Sequence, residues 1–176
     1  MKQFFFSTIL LLCAAVASAQ SSTSQSAFKQ GDKIFSAGLG LGSPYWGGGL
    51  SSSLISPTVA LEVGVSDEIS IGGSLAYSSS KLSYYDWKYH AYFIGGRGAY
   101  HFDISKENID LYAGAGVGYV IVTVGSKTYG GAAIGSGVGY TAFGGGRYYF
   151  GQKAAVYAEL GYGSFSILNA GVSFKF

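Results

Sequence analysis

Hydrophobic and polar residues alternate one for one along most of this chain, in eight segments of similar length. A period of two puts successive side chains on opposite faces of a β-strand. The pattern predicts strands over 34–42, 56–65, 69–77, 89–102, 109–122, 134–150 and 154–162, with a closing strand that runs to Phe176. In the second of these, Val59, Leu61, Val63 and Val65 oppose Thr58, Ala60, Glu62 and Gly64. In the seventh, Val156, Ala158, Leu160 and Tyr162 oppose Tyr157, Glu159 and Gly161. The closing segment sets Leu168, Ala170, Val172, Phe174 and Phe176 against Asn169, Gly171, Ser173 and Lys175.

The connections alternate in length. Ser66–Glu68, Asp103–Asn108 and Gly151–Lys153 are short, whereas 44–55, 78–88 and 123–133 are long; only Gly163–Ser166 breaks the pattern. Short periplasmic turns and longer outer loops characterise outer-membrane barrels, and this orients the predicted strands. Residues 20–32 are rich in Ser and Gln and read as a flexible periplasmic leader. Before them, Lys2, an apolar run from Phe4 to Val16 and the small residues Ala17-Ser18-Ala19 form a signal peptide, cleaved ahead of Gln20. Cys13 follows three leucines in the manner of a lipoprotein box, but Leu12 is too large for the position before a lipidated cysteine. Removing Cys13 with the signal leaves no cysteine, hence no disulfide or thiol chemistry.

Composition selects among the ways such strands can be used. Charged residues make up 11% of the chain, against about 25% in average soluble domains. After the signal no apolar run reaches the roughly 20 residues of a membrane-spanning helix. Only helices and closed barrels satisfy every backbone group in lipid, so the expected fold is all-β: a closed eight-stranded antiparallel transmembrane barrel of up-and-down order over residues 33–176. A formal charge of +2 gives no hint of nucleic acid.

Glu62, Arg97, Arg147 and Glu159 all fall on the parity that is otherwise Gly, Ser and Ala. Facing water, that parity would form a Gly-paved exterior with few charges to solubilise it. Facing inward, two acids and two arginines neutralise one another inside a narrow lumen. The expected pairs are Arg147 with Glu159 on neighbouring strands and Glu62 with Arg97 across the lumen, as a structural plug.

Two hairpins echo one another. Gly95-Gly96-Arg97-Gly98-Ala99-Tyr100-His101-Phe102 precedes Leu111-Tyr112-Ala113-Gly114, and Gly145-Gly146-Arg147-Tyr148-Tyr149-Phe150 precedes Val156-Tyr157-Ala158-Glu159. With the inward charges and the Val172-Ser173-Phe174-Lys175-Phe176 ending, these strand ends resemble the small bacterial outer-membrane β-barrel family that includes OmpX-like and OmpA transmembrane-domain-like proteins. The resemblance covers about Lys33 to Phe176. It implies location and fold, with Phe174 and Phe176 as the signal read by the barrel assembly machinery; members differ in role.

Aromatic residues fall in two sets suited to the membrane interfaces. Tyr77, Tyr92, Tyr119 and Tyr140 lie toward the outer side, and Phe35, Tyr100, Phe102, Tyr148, Phe150, Phe174 and Phe176 toward the inner. Tyr84, Tyr85 and Trp87 form a loop cluster that could touch an extracellular partner or saccharide. Among catalytic candidates, His90 lies near Ser83 and Asp86 in sequence but on the lipid-facing parity, and His101 lies beside a turn. No nucleophile, base and orienting group converge on this reading. The Gly47–Gly49 and Gly144–Gly146 runs are not followed by helices, and no Cys/His cluster suggests a metal. The expectation is therefore a non-catalytic barrel without cofactor, in contact with outer-membrane lipid and lipopolysaccharide. Its contribution would be membrane integrity or surface interaction. A small-solute or ion pore is the first alternative, and a rim-located lipid-modifying enzyme the second.

Overall fold

The computed structural model describes residues 26–41, 50–52, 55–82, 87–126, 130–163 and 166–176. The signal peptide with Ala17, Ala19 and Gln20, the loop residues Tyr84 and Tyr85, and Gly47–Gly49 lie outside the described residues. The strands are β1 (Lys33–Leu41), β2 (Leu50–Ser52), β3 (Ile55–Gly64), β4 (Ile69–Leu82), β5 (Trp87–Phe102), β6 (Ile109–Ser126), β7 (Gly130–Phe150), β8 (Ala154–Gly163) and β9 (Leu168–Lys175).

Eight of them close into a barrel. β1 pairs with β3 and β9, β4 pairs with β3 and β5, and antiparallel ladders continue through β6, β7 and β8 back to β9. Closure removes the sheet edges, and with them the unpaired backbone that lipid would not tolerate. β2 is a ninth, short strand that the alternation does not predict; it runs beside the far end of β4, Ser52 opposite Ser80.

The alternation assigns the faces. Val59, Leu61, Val63, Ile71, Leu75, Ile94, Val117, Val138, Leu160 and Val172 are exposed on the outside, while Ser36, Glu62, Ser70, Ala99, Tyr112, Arg147 and Ser173 are buried inside. Around the short-turn end, Phe35 is opposite Phe174, and Tyr100–Phe102 and Tyr148–Phe150 pack edge to face at 5.2 and 5.3 Å. Near the other end Tyr77 is opposite Tyr92, their rings 5.2 Å apart. An apolar belt between aromatic rings is the exterior of a transmembrane barrel.

Strand ends differ from expectation at the long-hairpin end. β4 continues through Ser78–Leu82, β5 starts at Trp87, β6 runs to Ser126 and β7 starts at Gly130, so the 78–88 and 123–133 loops are largely ladder. Beyond the belt an outward side chain need not be apolar, so the alternation fades while the backbone keeps pairing. A register shift lies between Val122 and Thr123, which face Gly135 and Ala133 and leave Ile134 as the extra residue of a bulge.

The short-turn end holds the other difference. Residues 26–32 do not form a free tail: Ala27 and Phe28 are 3% and 1% exposed. The chain enters β1 through Gly31, whose φ of +87° is easy for glycine and strained for other residues, and whose amide donates to the Gly64 carbonyl at 2.9 Å.

Candidate functional site

Side chains from five strands meet inside the barrel. Glu62 on β3, Gly72 on β4 and Arg97 on β5 lie in one row of the ladder. Because Gly72 has no side chain, the Arg97 Nε crosses the intervening strand to the Glu62 Oε1 at 3.1 Å. One guanidinium nitrogen of Arg97 donates to the Glu159 Oε1 at 2.7 Å, and the Tyr112 hydroxyl donates to that same oxygen at 2.9 Å. Arg147 donates to Glu62 and, at 3.0 Å, to Asp110. All four charged residues expected inside are thus brought together, with one of the two expected pairings kept and the other replaced.

The Glu62–Arg97 contact is present. The expected Arg147–Glu159 pair is replaced by Arg147–Asp110, Arg147–Glu62 and Arg97–Glu159. Register explains the exchange: β6 sets Asp110 directly opposite Arg147, whereas Glu159 faces Gly145, two residues along β7. That glycine is needed there, because a Cβ at position 145 would sit 2.8 Å from the Glu159 Cγ and 3.1 Å from the Tyr112 Cζ.

Burial makes the pairing obligatory. Glu62, Arg147 and Asp110 are 1–2% exposed. Removing one partner from such a cluster strands a charge in a low-dielectric interior, a cost of about 3–5 kcal/mol. Each guanidinium is also capped by a ring, Arg97 over Phe143 at 4.0 Å and Arg147 over Tyr112 at 4.1 Å. Ring quadrupoles attract the cations, most strongly where water is excluded.

Asp110 and Tyr112 are the residues that reading the sequence misses, although both share the parity of Gly114 and Gly116. Asp110 extends the network to His101, whose Nδ1 lies 2.7 Å from the Asp110 Oδ1 and whose Nε2 lies 2.9 Å from the Ser70 Oγ. Ser, His and Asp in this order form the geometry of a nucleophile, a base and an orienting acid. Here Ser70 is fully buried, Arg147 occupies the second oxygen of Asp110, and the Phe28 ring stacks on His101 at 3.6 Å. The arrangement is thus packed into the lumen among Phe28, Tyr112 and Arg147.

On the long-hairpin side of the network lies a cavity of about 90 Å³, lined by Thr58, Phe93, Thr141, Tyr157 and Asn169 among others. Small-molecule sites are typically several hundred Å³, so this space is small for one. Among the described residues no group of three or more His, Cys, Asp and Glu side chains could hold a metal ion. His90 makes a 2.7 Å hydrogen bond with the Tyr77 hydroxyl; Ser83 and Asp86 lie outside the described residues. Trp87, of the proposed loop cluster, opens β5 and is 38% exposed. Phe174 sits between Phe35 and Ala154, and the main chain of Phe176 exchanges hydrogen bonds with Lys33.

Solved structures similar to this barrel bear on its fold. The N-terminal β-barrel domain of Pseudomonas aeruginosa OprF superposes with a TM-score of 0.59 at 15% identity, over 84% of this chain and 99% of that one. Neisserial surface protein A gives 0.57 at 18% identity, over 82% and 96%. The fold is that of the eight-stranded outer-membrane barrels. Ail, the attachment invasion locus protein of Yersinia pestis, shares it with a TM-score of 0.50 at 13% identity, over 83% and 95%. No protein-family model matches the chain, and no curated protein matches it in sequence.

Proposed function

We propose that this protein is an integral outer-membrane barrel, closed and filled, which acts as a non-catalytic surface component. The observation that carries this reading is the ion network spanning β3, β5, β6, β7 and β8. A solute crossing the lumen would have to pull Arg97 or Arg147 from its carboxylates, and each such step costs several kcal/mol. This disfavours the pore alternative. The rim-enzyme alternative has no support from His90, which is engaged by Tyr77.

In this reading a cleaved signal peptide exports the chain, and the barrel assembly machinery reads Phe174 and Phe176 in the closing strand. The apolar belt contacts outer-membrane lipid and lipopolysaccharide. The β4–β5 and β6–β7 hairpins reach past the belt and present the loop around Tyr84, Tyr85 and Trp87 to an extracellular partner. The fold likeness to Ail, an attachment protein by its name, supports a surface role of this kind.

Fractionation tests location and closure together. The protein should run as a heat-modifiable band from outer-membrane fractions, and liposomes containing it should not swell in arabinose. Recovery in the soluble fraction, or swelling at a porin-like rate, would overturn the reading.

A further inference from the structure

The ion network in the lumen does not balance on its own. It joins three carboxylates, Glu62, Asp110 and Glu159, to two guanidiniums, Arg97 and Arg147. One negative charge is left over, among side chains that are at most 9% exposed. A lone charge in such a place is costly, and buried sites remove it by taking up a proton. Lys175 and Asp32 at the short-turn mouth lie 3.3 Å apart and offset each other, so they do not supply the missing positive charge.

His101 is placed to supply it. Its Nδ1 lies 2.7 Å from the Asp110 Oδ1 and its Nε2 2.9 Å from the Ser70 Oγ, and both of these oxygens can accept from a ring that donates at each nitrogen. The groups around it come from five elements. β4 brings Ser70, and the Glu68 carbonyl in the turn before it accepts the His101 backbone amide at 2.7 Å. β6 brings Asp110 and the Tyr112 ring, 5.6 Å away, and β7 brings Arg147 to the other oxygen of Asp110. β3 brings Glu62, whose carboxylate interacts with the charge of the imidazole. Residues 26–32 bring the Phe28 ring. Two carboxylates thus face His101 against one guanidinium. In water an imidazole also holds a proton more tightly than a carboxylate, by about two orders of magnitude.

The aromatic rings give an independent indication. Arg97 lies over Phe143 at 4.0 Å and Arg147 over Tyr112 at 4.1 Å. His101 lies against Phe28 in the same manner, at 3.6 Å and 5° from parallel. A ring face attracts a cation, most strongly where water is excluded.

We propose that His101 is an imidazolium in the folded barrel at neutral pH, the third cation of the network, and that folding takes up one proton. Three carboxylates then meet three cations. The unfolded chain leaves this imidazole largely uncharged above about pH 6.5. The folded state therefore binds the extra proton, and stability falls as pH rises, by about tenfold in the folding equilibrium constant per pH unit until the folded ring releases it. The short-turn end of the barrel is thereby a pH-sensitive latch, with Phe28 closing over the charged ring.

Nuclear magnetic resonance of isotope-labelled histidine reads the ring directly. The sequence has two histidines, so the detergent-folded His90→Phe chain shows His101 alone. At about pH 7.5 a free imidazole is only about one-tenth charged, but the two ring nitrogens of His101 should resonate together, as they do in an imidazolium. Two widely separated nitrogen signals, the mark of a neutral ring, overturn the proposal. Adding Glu159→Gln removes a carboxylate that does not touch His101 and balances the four charges that remain. The ring should then release its proton about one pH unit lower or more, a tenfold weaker hold. An unchanged titration overturns the charge count. Urea unfolding between about pH 7 and pH 9 should show wild type losing stability by about tenfold per unit at first, while His101→Gln stays within about twofold. Equal losses in the two overturn the proposal. The ring signal needs no substitution within the network, so it decides the matter even where His101→Gln fails to fold.

Discussion

Glu62 accepts from Arg147 and contacts Arg97, so it neutralises both guanidiniums, whereas Glu159 serves only Arg97 and the Tyr112 hydroxyl. Glu62→Gln should therefore lower the stability of the detergent-folded barrel by about 3–5 kcal/mol. Glu159→Gln, which leaves Arg97 its contact with Glu62, should cost about 1–3 kcal/mol. Urea unfolding midpoints check the order, and equal losses would contradict it. That these residues face inward was legible in the sequence, because parity alone decides it. Which acid meets which arginine was not, because that depends on register: a carboxylate two residues out of line loses to Asp110 directly opposite. Asp110 itself follows a turn and is easily read as turn polarity. The buried stack of Phe28 on His101 had no signal at all, since a lone aromatic in a Ser/Gln-rich stretch carries no periodicity.

At the scale of the strand, one face meets lipid and the other packs the lumen, and substitutions should divide accordingly. Ile94, 59% exposed on the outer face of β5, should cost about 2–4 kcal/mol when changed to Lys, while Ile69 beside the short turn at the start of β4 should cost under about 1 kcal/mol. Equal costs would argue against a lipid belt. Glycines divide by space. Gly145→Val drives a side chain into Glu159 and Tyr112 and should cost about 1–3 kcal/mol. Gly135→Val, with no atom within 4 Å of its Cβ, should stay within about 0.5 kcal/mol of wild type. The same unfolding series measures both. The strands were legible wherever one face needed apolar residues. Their extension through Ser78–Leu82 and Gly130–Ala133 was not, because outside the belt pairing leaves no hydrophobic mark.

For the whole molecule, eight ladders close on one another, and described side chains occupy the interior from the short-turn end as far as the small cavity. Phe28 and Ala27 fill the short-turn end, the charged network spans the middle, and Phe93, Phe143 and Tyr157 surround the small cavity beyond it. Closure followed from the sequence, since alternation, low charge and the want of an apolar helix leave lipid-spanning strands no other arrangement. Function did not follow in the same way, since one barrel fold hosts several roles and the sites carried on it, not the fold, separate them. A filled interior predicts a barrel that folds, inserts and does not conduct. Single-channel recording in planar bilayers tests this most directly. The wild-type protein should give a flat baseline after insertion, and steady nanosiemens-scale openings would contradict a closed lumen.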